Sequence, residues 1–372
     1  MKHQITLIGG QILPVYTGIV ERKPDVVHVL YSKDSKQHYS VLKNVLSTKA
    51  INSYQIDPFN YEEIRKKVEE IIFDNDKEDF ELNITGGTKI MAIAAQQVFN
   101  DLKFPIFYID QKHVLFDISE KKSSPILNKI NIETFLKLSG HSKFQMCSLT
   151  DFTSEEIELA EFILTQINTG WYWKAHAKIY VNRKFQPVNP FHFVDKDITI
   201  IWDGKVFNFI RGAKTNSFST KKALSIAFTG LWWEILIGKS VSKWSHAHEF
   251  KMSVKIKSKV QDQTDKNEID IVLNTGKNLI FIECKAGDVT QDDINKIKAV
   301  SELYGGISSR SILVARKKPS ATIIEKCQEL GIDVFSQEST EKAKNSTKTI
   351  FKFSKLTDLP KRLDLLLTKL SL

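Results

Sequence analysis

Asn267-Glu268-Ile269-Asp270-Ile271-Val272-Leu273-Asn274 and Leu279-Ile280-Phe281-Ile282-Glu283-Cys284-Lys285 are two apolar, β-branched runs separated by Thr275-Gly276-Lys277-Asn278. A glycine-containing turn between such runs predicts a β-hairpin. Side chains alternate across a strand, so Glu283 and Lys285 share one face and Cys284 points the other way. If residues 275–278 form a four-residue loop, Asn274 pairs with Leu279 and Asp270 falls opposite Glu283. A loop of odd length would throw Asp270 to the other face. Two carboxylates and an ammonium group on one face are suited to Mg²⁺ or Mn²⁺ and a phosphodiester. The carboxylates are hard oxygen ligands, the cation polarises a phosphoryl oxygen and acidifies a bound water, and the lysine stabilises developing charge. As a bare pattern, the same residues also describe a surface hairpin of alternating charge. The apolar strands around them argue instead for a domain core, where unpartnered carboxylates are costly.

This pattern resembles the core motif of the PD-(D/E)XK, restriction-endonuclease-like nucleases, with Asp270 as the motif aspartate and Glu283-x-Lys285 as the (D/E)-x-K element. The proline that usually precedes the aspartate is replaced here by Asn267-Glu268-Ile269. Upstream, residues 219–242 read as one long apolar helix, and Thr229-Gly230-Leu231-Trp232-Trp233-Glu234 sets a lone acid among apolar neighbours. The resemblance implies that Glu234 completes a metal site with Asp270 and Glu283; the plain alternative is a capping or ion-pairing acid. Val254–Val260 reads as a strand on which Lys255, Lys257 and Lys259 form a basic ridge or a solvated edge. Gln291 and Lys298 follow the hairpin at a distance that lets them approach substrate.

The N-terminal part alternates strand-like and helical segments, which predicts a mostly parallel sheet covered on both faces. Tyr61–Phe73 places Ile64, Val68, Ile71 and Ile72 on one helical face. Lys121–Pro125 reads as a polar connector. Asn83-Ile84-Thr85-Gly86-Gly87-Thr88-Lys89 joins a strand to a helix through two glycines, a junction that offers backbone N–H groups and a positive helix end to an anion. Gly-Gly alone would describe any tight turn. The full string resembles the signature loop of CARF domains, the Rossmann-like sensors of type III CRISPR systems. That resemblance implies a pocket for a cyclic oligoadenylate, most simply cyclic tetra-adenylate, at a homodimer two-fold. Its lining would be Gly9, Gly10, Gln11, Ser32, Asn83, Thr85, Gly86, Gly87, Thr88 and Lys89.

The expected class is therefore α/β: an N-terminal Rossmann-like CARF domain (1–145), a connecting segment (146–218) and a restriction-endonuclease-like domain with a mixed sheet (219–372). Of the formal net charge of +9, residues 1–150 carry +1 and the remainder +8. A basic excess in the catalytic half is expected of a protein that meets DNA or RNA, although a solvated lysine-rich surface has the same composition. Three cysteines in no metal-like spacing, no run long enough to span a membrane and no cleavable leader point to a cytoplasmic protein without a disulfide framework. The expected activity is a metal-dependent endonuclease switched on by a cyclic oligoadenylate in type III CRISPR antiviral defence. The alternative is a non-catalytic, ring-responsive regulator that only binds nucleic acid, and a CARF domain that degrades its own activator is compatible with either.

Overall fold

The computed structural model describes residues 1–46, 50–110, 112–181, 184–258, 265–305, 309–342, 349–353 and 355–371. The N-terminal elements are β1 (Lys2–Ile8), α1 (Leu13–Arg22), β2 (Val26–Tyr31), α2 (Lys36–Val45), β3 (Ala50–Gln55), α3 (Tyr61–Phe73), β4 (Asp79–Asn83), α4 (Lys89–Asp101), β5 (Ile106–Ile109), β6 (Val114–Asp117) and β7 (Lys122–Pro125). They form a seven-stranded sheet in the order β3-β2-β1-β4-β5-β6-β7. The first five strands are parallel and the last two antiparallel. The strand order reverses between β1 and β4, and the crevice at such a switch point is where open α/β sheets take ligands. The four apolar residues expected on α3 are all buried. Residues 122–125, expected as a connector, instead form the edge strand β7, because backbone pairing with β6 needs no apolar side chains.

α5 (Ile132–Leu138) bridges to the second half, where β8 (Phe144–Cys147), α6 (Ser154–Gln166) and α7 (Gly170–Ile179) lead to β9 (Tyr180–Val181) and β10 (Lys184–Phe185). An antiparallel four-stranded sheet follows: β11 (Phe191–Asp195), β12 (Ile198–Trp202), β13 (Val206–Arg211) and β14 (Lys214–Ser219). Then come α8 (Ala223–Phe228), α9 (Leu231–Val241), β15 (Glu249–Lys257), β16 (Asp265–Asn274), β17 (Leu279–Lys285), α10 (Gln291–Gly305), β18 (Arg310–Ala315), α11 (Ala321–Glu329) and β19 (Ile332–Ser336). The chain ends with the hairpin β20 (Glu338–Lys342) and β21 (Thr349–Phe353) and with α12 (Leu359–Ser371). A six-stranded mixed sheet, β19-β18-β17-β16-β15-β8, carries the hairpin near its centre. One face packs α9 and the four-stranded sheet, and the other packs α5 and α10.

Two further expectations are corrected. Residues 219–242 are two helices, not one. Thr229 is extended, its hydroxyl donates to the Ser225 carbonyl (2.6 Å) and accepts from the Leu231 N–H (3.2 Å), so it ends α8 and starts α9. The strand expected to begin at Val254 begins at Glu249. Lys255 and Lys257 pair with Glu268 (3.5 Å) and Asp265 (2.6 Å) of β16, so they form part of a cross-strand charge ladder. Lys259 lies outside the described residues. Among the described residues no helix is long and apolar enough to cross a membrane.

Candidate active site and sensor loop

The hairpin has the register read from its sequence. Asn274 pairs with Leu279 and Ile271 with Ile282, so continuing the ladder sets Asp270 across from Glu283. Alternation holds along β17: Leu279 and Phe281 enter the core beneath α10, while Ile280, Ile282 and Cys284 enter the core beneath α9. Beyond Ile271 the backbone ladder to β17 stops, and the Asp270 carboxylate accepts the Cys284 N–H (2.7 Å). On the other flank, β15 has φ +46° at Ser253, between the pairs Met252↔Ile271 and Val254↔Ile269. Met252 and Ile271 pack in the first core and Val254 and Ile269 in the second, so the strands exchange faces at the level of Asp270.

Glu283 is 2% exposed. Its Oε1 is met by Lys285 Nζ (2.9 Å) and, from α10, by Lys296 Nζ (3.4 Å). Lys285 also reaches Asp293 of α10 (2.9 Å). Burial works against the Lys285 ammonium, but the charges of Glu283 and Asp293 prevail and hold its pKa above the ordinary lysine value. Asp293 is itself fixed by the Thr290 N–H and hydroxyl, both at 2.8 Å. Burial, then the neighbouring Glu283 charge, pushes Asp270 up to about 7. Burial, then the Asp270 charge, pushes Glu234 up to about 8. Glu234 lies in the first turn of α9, which is anchored by the buried Trp233 through its Nε1–H to the Val314 carbonyl (3.0 Å).

Asp270 and Glu234 form no ion pair within 4 Å among the described residues, whereas Glu283 has two lysines. Also among the described residues, no three His, Cys, Asp or Glu side chains stand close enough together to hold a metal ion. The donor chemistry of Asp270 and Glu234 still fits a divalent cation: two hard-oxygen acids made less acidic first by burial and then by a neighbouring carboxylate, with the Cys284 N–H and the lysines offsetting only part of it. Asp293 and Lys296 were not singled out from the sequence. Both lie on an ordinary amphipathic helix, and only the packing of α10 on β17 brings them to the acids. Lys298 instead pairs with Glu302 (3.2 Å), and Gln291 opens α10 at the surface.

At the N-terminal switch point the two glycine loops touch. A Cβ on Gly86 would stand 2.1 Å from the Leu7 carbonyl oxygen, and one on Gly9 would stand 3.0 Å from the Gly87 nitrogen. Asn83 Oδ1 accepts the Thr85 N–H (3.0 Å), Thr85 Oγ1 accepts the Ile109 N–H (2.9 Å), and Thr88 caps α4 while donating to the Pro58 carbonyl (2.7 Å). These polar side chains shape the loop; what faces outward is the glycine backbone and the exposed Lys89. Ser32 is buried in a turn with Ser35. A cleft of about 1170 Å³ lies between the two halves of the chain. Gly10 and Gln11 line it with His38 and Asp110 from one side and Lys298 and Arg310 from the other, while Gly9, Ser32, Asn83 and Thr85–Lys89 are not among its walls.

The β16–β17 hairpin also touches the N-terminal half. His113, in the β5–β6 turn, sits against Lys277 and Asn278, and burial first, then the Lys277 charge, lowers its pKa. Gly276 accepts the Ile130 N–H (3.0 Å), and the buried Asn274 amide donates to the Ile130 carbonyl (2.6 Å).

Residues 4–135 match the family model described as the Card1 CARF domain, and residues 221–353 match that of the Card1-like endonuclease domain. The chain joins a Card1-type CARF domain to a Card1-like endonuclease domain. No curated protein matches it. Among solved structures it is similar to Can2 from Sulfobacillus thermosulfidooxidans in complex with cyclic tetra-adenylate (TM-score 0.70, 19% identity, 98% of this chain and 99% of that one). It is also similar to a Vibrio cholerae protein (TM-score 0.72, 14% identity, 99% and 98%). A third is a type III CRISPR defence DNA nuclease activated by cyclic oligoadenylate (TM-score 0.61, 15% identity, 97% of this chain but 51% of that one). The fold of the chain thus recurs in these structures over nearly its whole length.

Proposed function

We propose that this protein is a metal-dependent endonuclease of type III CRISPR defence that cuts DNA, RNA or both when its CARF domain binds a cyclic oligoadenylate, most simply cyclic tetra-adenylate. The observation that carries the reading is the hairpin geometry: Asp270 and Glu283 follow directly on the last ladder pair, Ile271 with Ile282, and feel each other's charge, with Lys285 on the Glu283 carboxylate and Glu234, on α9, within reach of the Asp270 charge. The catalytic group is Asp270, Glu283, Lys285 and Glu234. Asp270, Glu283 and Glu234 would hold Mg²⁺ or Mn²⁺, which supplies an acidified water and an electrophile for the phosphate. Lys285, kept protonated by Glu283 and Asp293, presents positive charge to the phosphate as charge builds on it. Asp293 and Lys296 position Lys285 and Glu283. Trp232 and Trp233, both fully buried, fix α9, Trp233 through its bond to the Val314 carbonyl.

Two observations support the activator reading: the family match over residues 4–135, and the cyclic tetra-adenylate named with the Can2 structure. Gly9, Gly10, Gln11 and the loop Thr85–Lys89 would meet the ring's phosphates through backbone N–H groups and Lys89. Asn83 holds the Thr85 loop from beneath, Ser32 would line the pocket from its own turn with Ser35, and a second copy of the chain supplies the other half of the pocket. The proposed domain limits are 1–145, 146–218 and 219–372, with β8 (Phe144–Cys147) crossing the first limit into the six-stranded sheet and the middle segment built onto the endonuclease core. Incubation of the pure protein with Mn²⁺ or Mg²⁺, labelled DNA and RNA, and each cyclic oligoadenylate tests the reading. Cleavage that requires both ring and metal is expected; no cleavage under any combination refutes it.

A further inference from the structure

We propose that the outer surface of residues 170–222 is a landing surface for the phosphate backbone of the nucleic-acid substrate; this rests on the nuclease reading above. Those residues contain ten Lys and Arg, three Asp and no Glu, which is seven of the chain's nine formal positive charges. The three acids are already engaged: Asp195 by Lys174 (2.7 Å), Asp197 by Arg211 (3.1 Å), and Asp203 by the N–H groups of Lys205 and Val206 (2.8 Å each). Lys178, Lys184, Lys196, Lys205, Lys214 and Lys221 are exposed, and none forms an ion pair among the described residues. Lys205 and Lys221 lie at one end of the four-stranded sheet, and Lys196, Arg211 and Lys214 cluster at the other. Asp195, Ile198, Arg211 and Lys214 form one cross-strand row, so the turns bearing Lys196 and Lys214 meet at that second end. Lys174 joins that end through Asp195, and Lys178 follows one helical turn on, over the Phe193 ring (5.3 Å).

The sheet face beside this rim, His192, Val194, Thr199, Ile201, Asn208 and Ile210, holds no carboxylate. A second copy docking through the same face would bring the rim against itself, and like charges set opposite one another are unfavourable. A polyanion has no such cost. The surface is also tied to the catalytic strand. Arg316 donates from its N–H to the Lys285 carbonyl (2.8 Å), from Nε to Ala286 (3.0 Å) and from Nη1 to Asn168 (3.3 Å), two residues before α7 begins. A strand leaving the acids on that side meets α7 and its lysines next.

The test uses the full chain carrying Glu283→Gln, so that substrate survives, and a fluorescent single-stranded oligonucleotide whose Kd is followed against salt. Adding Lys178→Gln, Lys196→Gln and Lys214→Gln should flatten the slope of log affinity against log salt by about 2, roughly 0.7 for each phosphate that is no longer neutralised. The same removal of charge at Lys43, Lys66 and Lys103 of the CARF domain should leave the slope in place. Equal slopes in the triple variant and its parent overturn the proposal, as does an equal fall in the CARF control. A triple variant with altered mass in solution also overturns it and makes the face an interface between copies. If native protein cuts nothing, the nuclease reading fails first; if it cuts and the triple variant binds unchanged, only the surface fails.

Discussion

The glycine loop of the CARF domain and the acid cluster of the endonuclease domain are kept in opposite states. In the loop, the Asn83 Oδ1 and the Thr85 and Thr88 hydroxyls have protein partners, and what remains facing out is neutral backbone and one solvated lysine. Such a surface costs little while empty, because water serves its donors. The acids have no such relief. Glu234 and Asp270 are largely desolvated, the Glu283 charge further raises the pKa of Asp270 and the Asp270 charge that of Glu234, while Glu283 is held by Lys285 and Lys296. A sensor site can rest without its ligand; a catalytic site of this kind holds electrostatic tension that a proton or a cation relieves.

The comparison breaks most sharply at Glu283. Glu283→Gln should lower cleavage by roughly 10³-fold while ring affinity, read by calorimetry, stays put; retained cleavage with Mn²⁺ would detach the hairpin from catalysis. On the sensor side, two neighbours should part company. Lys89→Ala should weaken ring binding by about tenfold, the scale of one hydrogen bond from a charged group, with no change in Tm. Gly86→Ala drives a methyl against the Leu7 carbonyl and should cost about 1–3 kcal/mol of stability, so its Tm falls whether or not ring is present. A Lys89 variant that binds normally would remove the loop from the pocket.

The smallest effect is on pH. The pKa values of Glu234 and Asp270 are raised in the folded chain, so their contribution to stability is complete below the ordinary carboxylate range and is lost as pH climbs through about 7 and 8. Metal-free protein should therefore lose Tm between about pH 5 and 8.5 relative to a Glu234→Gln, Asp270→Asn variant, and Mn²⁺ at about pH 8.5 should restore it. Parallel Tm curves for the two proteins would show that the acids hold no such tension.

What the sequence disclosed was periodic or local. Alternation and a four-residue turn were enough to set Asn274 on Leu279 and the ladder as far as Ile271 on Ile282, and 3.6-residue spacing marked the buried face of α3. What it hid was non-local or veiled by uniform hydrophobicity. The break at Thr229-Gly230 disappears in a run apolar on both sides, although the Thr-Gly pair was its only trace. Asp293 and Lys296 belong to the site only because α10 folds back over β17. The exchange of faces at Ser253 leaves no mark in residue type, since the left-handed backbone there is imposed by the sheet.

The turn at residues 275–278 is fastened at both of its ends to different duties. Its even length holds the acids in phase, and its Gly276 and Asn278 lie against Ile130 and His113 on the sensor side. One residue more or fewer would invert the strand pattern and unseat the seam between the halves in a single stroke. Ring pocket and substrate surface can drift by substitution; the count of residues in this turn cannot.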